Sequence, residues 1–342
     1  MAKLLNTARS NLDKFLRLAH SSPRVPTDSS TSSGTLPPAP AAGQTASPTR
    51  NVIRPSTFFK RLISWVVLWV LALWFVFSGF DTGTLLLIAL FGLSAQWEFY
   101  KAQEEKGHKV FKQSGLFCGA LLFANSWYFL IGNPGHAGFV HFGVELILVF
   151  SLLGAFIRLV IVPETHRAPI TTAALTLLGL LYAPFLFNFV ALLALSPGDA
   201  QIRHFLLLYL LAVTKFSDVG AYVIGSLVGR HKMIPRISPG KTWEGFAGAI
   251  ATSLALSVAM TYWQGEKIHA LSLESGILLG LLLPLISVVG DLAESVVKRD
   301  ASIKDSGHSI PGIGGALDLI DSILFTAPVL YFYVQFTAST AP

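Results

Sequence analysis

The chain has 342 residues, of which 52% are apolar and 13% charged, and its mean hydropathy is +0.59. This composition excludes an ordinary soluble globular domain and predicts an all-α, polytopic membrane protein. The formal net charge of +6 indicates attraction to anionic lipid headgroups, and no basic, aromatic-interleaved groove indicates binding of nucleic acid. The single cysteine, Cys118, excludes a disulfide framework and a thiolate metal site.

The first 55 residues precede the apolar part of the chain. Residues 1–20 place apolar and basic side chains at roughly helical spacing, which is typical of an amphipathic helix on a membrane surface and equally of a solvated terminus. Residues 21–55 are rich in Ser, Thr, Pro, Ala and Gly, and we expect a disordered linker there. No cleavable signal peptide is expected, because the first twenty residues lack a continuous apolar core.

Nine apolar runs follow, each close to the length that crosses ~30 Å of hydrocarbon. They lie at about 61–80, 83–99, 116–132, 143–162, 171–195, 204–228, 246–263, 276–297 and 316–336. One set of alternate loops carries most of the basic residues, among them Lys101, Lys232 and Lys298, whereas the opposite set carries Arg203 and Lys267. Because Lys and Arg accumulate on the cytoplasmic side, this bias predicts a cytoplasmic N-terminus.

A polar segment, residues 295–321, lies between the last two apolar runs. We expect its interior to be a loop, because helix breakers crowd it at Gly307, Pro311, Gly312, Gly314 and Gly315. Upstream, one helix face would carry acids, a hydroxyl and a cation, at Asp291, Glu294, Ser295 and Lys298. Downstream, Asp318 and Asp321 would point the same way. A glycine-rich loop between carboxylate-bearing helix ends suits phosphate and Mg²⁺, and the alternative is a connector whose charges are merely solvated.

The spacing of this segment resembles the signature of the phosphatidate cytidylyltransferases, also called CDP-diacylglycerol synthases. The matching positions are Ser295, Lys298, Arg299, Lys304, Asp305, Gly307, Ile310, Pro311, Gly312, Gly314, Gly315, Asp318 and Asp321. Two positions depart from the signature. Ile313 stands where the family usually has His, and Leu319 where it usually has Arg.

A second polar segment, residues 215–245, precedes the first in the chain. Its Asp218 lies inside an apolar run, where it can pair with Lys215 or face a cavity in the bundle. We expect residues 238–244 to include a Pro-Gly turn. This segment also resembles the family, at Asp218, Ala221, Tyr222, Gly225, Arg230, His231, Lys232, Ser238, Pro239, Lys241, Thr242, Trp243, Glu244 and Gly245. The two polar segments cover the last third of the chain.

The resemblance implies a transmembrane cytidylyltransferase domain at 56–342 with its catalytic region at 204–325. Its reaction would join CTP and phosphatidate into CDP-diacylglycerol and pyrophosphate, at the cytoplasmic face of a multi-pass protein in the lipid bilayer, the inner membrane in a bacterium. Oligomeric state is left open, with a homodimer among the alternatives.

The same resemblance assigns roles to residues of both segments. Mg²⁺, with a second cation left open, is expected at Asp218, Asp291, Asp318 and Asp321. Catalytic roles are expected for Asp291, Asp318, Asp321, Lys298 and Arg299. Substrate binding is expected at Ser238, Lys241, Thr242, Glu244, Ser295, Lys304, Asp305, Gly312, Gly314 and Gly315.

Three other functions are weighed against the synthase. A CTP-dependent lipid kinase or another lipid-phosphate transferase would use the same metal and phosphate chemistry. A family member that binds without turnover is suggested by Ile313 and Leu319. An ion-coupled transporter would use Asp218 and Asp291 along an ion path.

Overall fold

The structure, a computed structural model, describes residues 67, 70–71, 73–161, 168–264, 271–301, 307 and 314–340. Within these ranges eight helices are long and apolar enough to cross a membrane, and they coincide with the second to ninth predicted spans. The first predicted span, 61–80, lies partly outside the described residues, although 73–77 are helical. The amphipathic helix and linker expected at 1–20 and 21–55 lie wholly outside them. The all-α polytopic prediction is confirmed.

The helices are numbered in chain order. They are α1 (Asp81–Glu105), α2 (Lys112–Ser126), α3 (Val140–Ile161), α4 (Pro169–Leu180), α5 (Leu186–Leu195), α6 (Ala200–Val228), α7 (Trp243–Gln264), α8 (Leu273–Asp300) and α9 (Ala316–Thr340). A π-helical turn, Leu181–Phe185, joins α4 and α5 into one span, because Pro184 inside it lacks the N–H that an α-helical bond needs. A second π-helical turn, Trp127–Gly132, extends α2.

Local chemistry sets several helix starts. The Asp199 carboxylate accepts a hydrogen bond from the Gln201 N–H at 2.8 Å and caps α6, and the Ser272 hydroxyl caps α8 through the Ser275 N–H. Pro169 opens α4, where its missing N–H has no intrahelical partner to lose. Helix α5 is buried along its whole length at the centre of the bundle, whereas α3 lies at the periphery with most of its apolar side chains exposed.

Glycines allow the closest helix crossings. An added Cβ at Gly248 of α7 would lie 2.5 Å from the Ile224 side chain of α6, and one at Gly280 of α8 would lie 2.9 Å from the Leu254 backbone of α7. In a bilayer the lipid tails remove most of the hydrophobic drive for helix association, so small residues that permit close approach hold the helices together. This packing arranges α6, α7, α8 and α9 in sequence around the polar segments.

A two-stranded antiparallel hairpin projects between α6 and α7. Strand β1 (Lys232–Ile234) pairs with β2 (Ser238–Thr242), with Lys232 opposite Thr242 and a register shift before Ile234 meets Ser238. The turn expected at 238–244 was therefore wrong: Ser238–Thr242 is a strand, and Pro239 is tolerated because a two-stranded sheet has only edges. The Arg299 Nε donates to the Ile237 carbonyl at 3.2 Å, which ties the hairpin to the end of α8.

The Gly248→Ala substitution tests the α6–α7 contact. We expect a loss of about 1–3 kcal/mol of stability, because the new methyl group overpacks the crossing against Ile224. The matched control is Gly154→Ala on α3, where a Cβ meets nothing within 4 Å and the helix propensity of Ala is an advantage. Thermal unfolding in detergent compares the two variants, and equal midpoints would contradict this account of the packing.

Candidate active site

The site begins at the crossing of α8 and α9. Gly290 of α8 carries no side chain, and an added Cβ there would lie 2.7 Å from the Asp321 carbonyl oxygen of α9. The two backbones are therefore close enough for Asp291 to meet the residues that follow Asp321. Chain positions separated by about thirty residues become direct neighbours at this crossing.

One hydroxyl gathers three carboxylates into what we call the Ser322 cluster: Ser322, Asp218, Asp291 and Asp321. The Ser322 Oγ lies 2.6 Å from Asp291 Oδ1, 3.3 Å from Asp321 Oδ1 and 3.3 Å from Asp218 Oδ2. The Ser287 hydroxyl adds a hydrogen bond of 3.1 Å to Asp218 Oδ1. Since a hydroxyl has a single proton to donate, these bonds alone leave much of the negative charge in the cluster uncompensated.

Two lysines supply the opposing charge. The Lys215 ammonium lies 3.5 Å from Asp218 Oδ2 and donates to the Leu319 carbonyl at 2.9 Å. The Lys241 ammonium of β2 lies 2.6 Å from Asp291 Oδ2. The second pair joins the two polar segments directly, across fifty positions of the chain. The alternatives for Asp218 were a pairing with Lys215 and a place in a cavity, and the structure shows both.

A second group, which we call the Lys298 cluster, lies beside the first on the same two helices. The Lys298 ammonium is 2.9 Å from Glu294 Oε2 and 3.0 Å from Asp318 Oδ1. The Gly315 N–H donates to Asp318 Oδ2 at 2.8 Å. Asp318 thus has partners different from those of Asp321, although both lie at the α8–α9 crossing. The predicted shared face of Glu294 and Lys298 on α8 is confirmed by their ion pair.

A cavity of about 520 Å³, lined by both polar and apolar side chains, lies between α6, the hairpin, α7 and α8 and reaches Asp218 and Asp291 of the Ser322 cluster. Its lining includes Asp218, Tyr222, Lys232, Ser238, Lys241 and Asp291. A volume of this size suits a small-molecule ligand. A separate, almost wholly apolar cavity of about 120 Å³ lies on the other side of Lys215, where Leu319 forms part of the wall.

Other predicted site residues have mainly supporting contacts. The Thr242 hydroxyl accepts the Gly245 N–H at 3.1 Å, and the Glu244 carboxylate accepts the N–H groups of Arg230 and His231 and contacts the His231 ring. None of these contacts involves a residue of the Ser322 cluster. Ser295 is half-buried on α8, and Gly314 has a φ of +127°, which favours glycine. Lys304, Asp305 and Gly312 lie outside the described residues.

Sequence reasoning missed three contributors. Ser322 and Ser287 carry no distinctive pattern, since serine is common in membrane helices. Glu98 of α1 was also missed, although an acid inside the apolar run 83–99 is itself a signal. Its carboxylate reaches the start of α9, where it accepts the Ala316 N–H at 2.9 Å.

The donor chemistry of the site decides which metal it fits. Within the part of the chain that the structure describes, no group of three or more His, Cys, Asp or Glu side chains stands ready to hold a metal ion. The Ser322 cluster does, however, direct three carboxylates at one point, and all its donors are oxygens. Mg²⁺ in proteins is usually held by one or two carboxylates together with water and substrate phosphates, so the cluster fits that cation in its substrate-bound form.

Comparison with known proteins shows the family of the chain. The sequence model of the Cytidylyltransferase family matches residues 59–337, and so extends well before the two polar segments. The phosphatidate cytidylyltransferase of Haemophilus influenzae is 32% identical over 294 residues, 80% of this chain and 98% of that protein. The phosphatidate cytidylyltransferase of Brucella suis biovar 1 is 33% identical over 280 residues, 81% of this chain and 93% of its own length.

A third relative covers less of both chains. The uncharacterized protein YnbB of Escherichia coli (strain K12) is 36% identical over 197 residues, 56% of this chain and 64% of YnbB. The family match spans all eight of the membrane helices in the described ranges and both clusters of charged residues. The chain therefore belongs to the cytidylyltransferase family.

Proposed function

We propose that this protein is a phosphatidate cytidylyltransferase, which converts CTP and phosphatidate into CDP-diacylglycerol and pyrophosphate. The observation that carries the proposal is the 2.6 Å pair between Lys241 and Asp291, because it joins the two family-like segments at one cavity that both side chains line. Two relatives that bear this name align with most of the present chain.

The reaction is a nucleotidyl transfer. A phosphate oxygen of the lipid attacks the α-phosphorus of CTP, and the bond to the β-phosphate oxygen breaks as pyrophosphate leaves. The attacking oxygen is already anionic, so the step requires in-line positioning and charge neutralisation more than a strong general base. The cavity beside the Ser322 cluster offers both, since Lys232 and Lys241 line it and Lys298 lies about two helical turns from Asp291 on α8.

The basic side chains at the site would each bind a different phosphate group of the substrates. Lys241 lies at the cavity wall, where it can exchange part of its contact with Asp291 for a phosphate oxygen of CTP. Arg299 lies at the end of α8, and its Nε donates a hydrogen bond to the Ile237 carbonyl of the hairpin. This bond holds the planar guanidinium in place, so that its remaining N–H groups can bind a phosphate. Lys304, which lies outside the described residues, keeps the substrate-binding role that the resemblance implies.

We assign Mg²⁺ to the carboxylates of the Ser322 cluster. Asp291 and Asp321 would hold the ion, with Asp218 beside them. Asp318 would remain paired with Lys298. We assign no site to a second cation. When bound, Mg²⁺ supplies positive charge to the phosphate oxygens during transfer. Lys215 and Lys241 limit the mutual repulsion of these carboxylates, which lets three acids lie at one point of a membrane bundle.

Where the family signature usually has Arg, this chain has Leu319, but Lys215 of α6 supplies a positive charge nearby. Leu319 forms part of an apolar wall, but the Lys215 ammonium lies 2.9 Å from its backbone carbonyl. Lys215 therefore brings a cation to the neighbourhood where the signature usually has Arg. The departure at Leu319 is compatible with turnover for this reason.

Several observations support a cytoplasmic location for the site. The Lys106 ammonium lies 2.5 Å from Asp300, and Arg299 contacts Ile237, so the connections after α1 and after α6 meet the end of α8 at one end of the bundle. Arg203 pairs with Asp81 at the other end, at 3.7 Å. Basic loops on a shared end indicate the cytoplasmic side, where CTP is present, and the acyl chains of phosphatidate can remain in the bilayer.

Labelled CTP tests the reaction directly. With purified protein, phosphatidate and Mg²⁺, we expect label from the α-phosphate to enter the lipid and label from the γ-phosphate to leave as pyrophosphate. Label from the γ-phosphate on the lipid would instead identify a lipid kinase. Ion uptake into proteoliposomes without consumption of CTP would identify a transporter.

Aspartate substitutions test the metal assignment. We expect Asp291→Asn and Asp321→Asn each to lower kcat by a factor on the order of 10² or more, and the residual activity to require more Mg²⁺. The control is Asp300→Asn on α8, whose partner Lys106 lies in an exposed pair, and we expect it to keep near-normal kcat. Chelation with EDTA should abolish turnover and added Mg²⁺ restore it. Comparable, small effects of all three substitutions would count against the assignment.

Moving the charge between α6 and α9 tests the role of Lys215. We expect Lys215→Met to lower kcat/KM by a factor on the order of 10², because Asp218 loses its cation. The double variant Lys215→Met/Leu319→Arg should recover part of this loss, whereas Leu319→Arg alone should give no gain. Full activity of Lys215→Met, or a double variant no better than that single one, would refute the compensation.

A further inference from the structure

Glu98 is an acid of the first half of the chain that the reaction itself does not use. It lies on α1, seven residues before the helix ends at Glu105, and only 2% of its surface is exposed. Taking a carboxylate out of water is unfavourable unless hydrogen bonds replace the lost hydration. The contacts of Glu98 therefore indicate what the residue is for.

Both carboxylate oxygens of Glu98 bond to the start of α9. Oε1 accepts the Ala316 N–H and Oε2 accepts the Leu317 N–H, each at 2.9 Å. These are the first two residues of α9, whose N–H groups have no partner within the helix. A negative charge at this end is also favoured by the helix dipole. Glu98 thus caps α9 from a different helix, 218 positions away in sequence.

Two glycines of the polar segment 295–321 lie against the same carboxylate. An added Cβ at Gly307 would lie 2.6 Å from Glu98 Oε1, and one at Gly315 would collide with Oε2. Both positions exclude a side chain because the Glu98 carboxylate fills the space. One buried acid therefore packs against Gly307 and Gly315 and caps the helix that follows them.

We propose that Glu98 is a positioning residue that fixes Gly307, Gly315 and the first turn of α9 for nucleotidyl transfer. Residues 315–317 are held between two carboxylates, because Gly315 N–H bonds Asp318 and the next two N–H groups bond Glu98. Asp318 and Asp321 follow immediately on the same helix. Their placement against Lys298 and Asp291 depends on where α9 begins, so Glu98 acts on the reaction through them.

The same contacts change the expected phosphate site. The N–H groups of Gly315, Ala316 and Leu317 all bond protein carboxylates. The amino-terminal end of α9 is therefore used to locate the helix rather than to bind phosphate. Phosphate binding then falls to the basic side chains around the cavity.

Hydrogen exchange on the full-length protein in lipid nanodiscs tests the contact without reference to activity. We expect Glu98→Gln, which keeps one carbonyl acceptor, to lower the protection of the Ala316 and Leu317 amides by about tenfold or more, and Glu98→Ala to lower it further. Protection elsewhere in α9 and in α1 should be kept. Unchanged protection at both amides would overturn the proposal.

Kinetics test the consequence for the reaction, and this arm rests on the proposed function. We expect Glu98→Ala to lower kcat by a factor on the order of 10², with the KM for phosphatidate nearly unchanged, because misplacement of catalytic groups by about 1 Å has effects of that size. Glu98→Gln should restore part of kcat. If Glu98→Ala does not fold, Glu98→Gln carries both measurements.

The matched control is Gln96→Met on the same helix. Gln96 is fully buried and donates to Tyr100 Oη at 3.0 Å and to the Gly115 carbonyl at 2.9 Å. Neither partner belongs to the segment 295–321. We expect this variant to lose stability while keeping kcat and the protection of residues 316–317. Equal loss of kcat in the Gln96 and Glu98 variants would show a merely structural role. An inactive wild type with the expected exchange pattern would contradict the proposed function and leave the positioning contact standing.

Discussion

Carboxylates can be buried in a membrane-spanning bundle only where cations and hydrogen-bond donors meet them, and this constraint governs the crossing of α8 and α9. An acid at the centre of a membrane helix costs roughly 2.5–3.5 kcal/mol on insertion scales. Asp218, Asp291 and Asp321 meet at Ser322, and Lys215 and Lys241 lie against two of them. The three carboxylates are tolerated in the bundle because each has a hydrogen-bond or ion-pair partner. Closely spaced carboxylates and ammonium groups are also the groups that bind metal ions and phosphates.

The site is built from parts of the chain that are far apart. Glycines permit the close helix crossings, and Gly290 in particular brings the backbone of α9 against α8. Lys241 arrives from the hairpin, Asp218 from α6, and Glu98 from α1, where it holds the start of α9. The first half of the chain therefore contributes directly to the structure around these acids, and the family match likewise begins at residue 59.

Much of the architecture follows from the sequence, because long apolar runs in a bilayer can satisfy their backbone only as helices. Asp291 and Asp321 were identified because they are carboxylates on either side of a glycine-rich segment whose spacing resembles the family signature. The hairpin was missed because Pro239 and Gly240 predict a turn, whereas pairing with β1 makes Ser238–Thr242 a strand. Glu98 and Ser322 were missed because their roles come from tertiary contacts across more than thirty positions of the chain, which local spacing does not encode.

The division of the acids between two clusters was also beyond the sequence. Asp318 and Asp321 are three residues apart on α9, yet the first pairs with Lys298 and the second lies beside Ser322. Spacing placed both on one side of the helix but gave no information on which neighbour each would meet. The crossing angle and the position of α8 decide that, and both depend on packing.

A double-mutant cycle between Lys241 and Asp291 tests the central claim most directly, since this pair joins the two polar segments in one site. The cycle compares kcat/KM for CTP in Lys241→Met, Asp291→Asn and the double variant. Residues that act as a unit are non-additive, so the double variant should be about as active as the weaker single variant. Losses that simply multiply would show that the two segments work independently, and would contradict a shared active site.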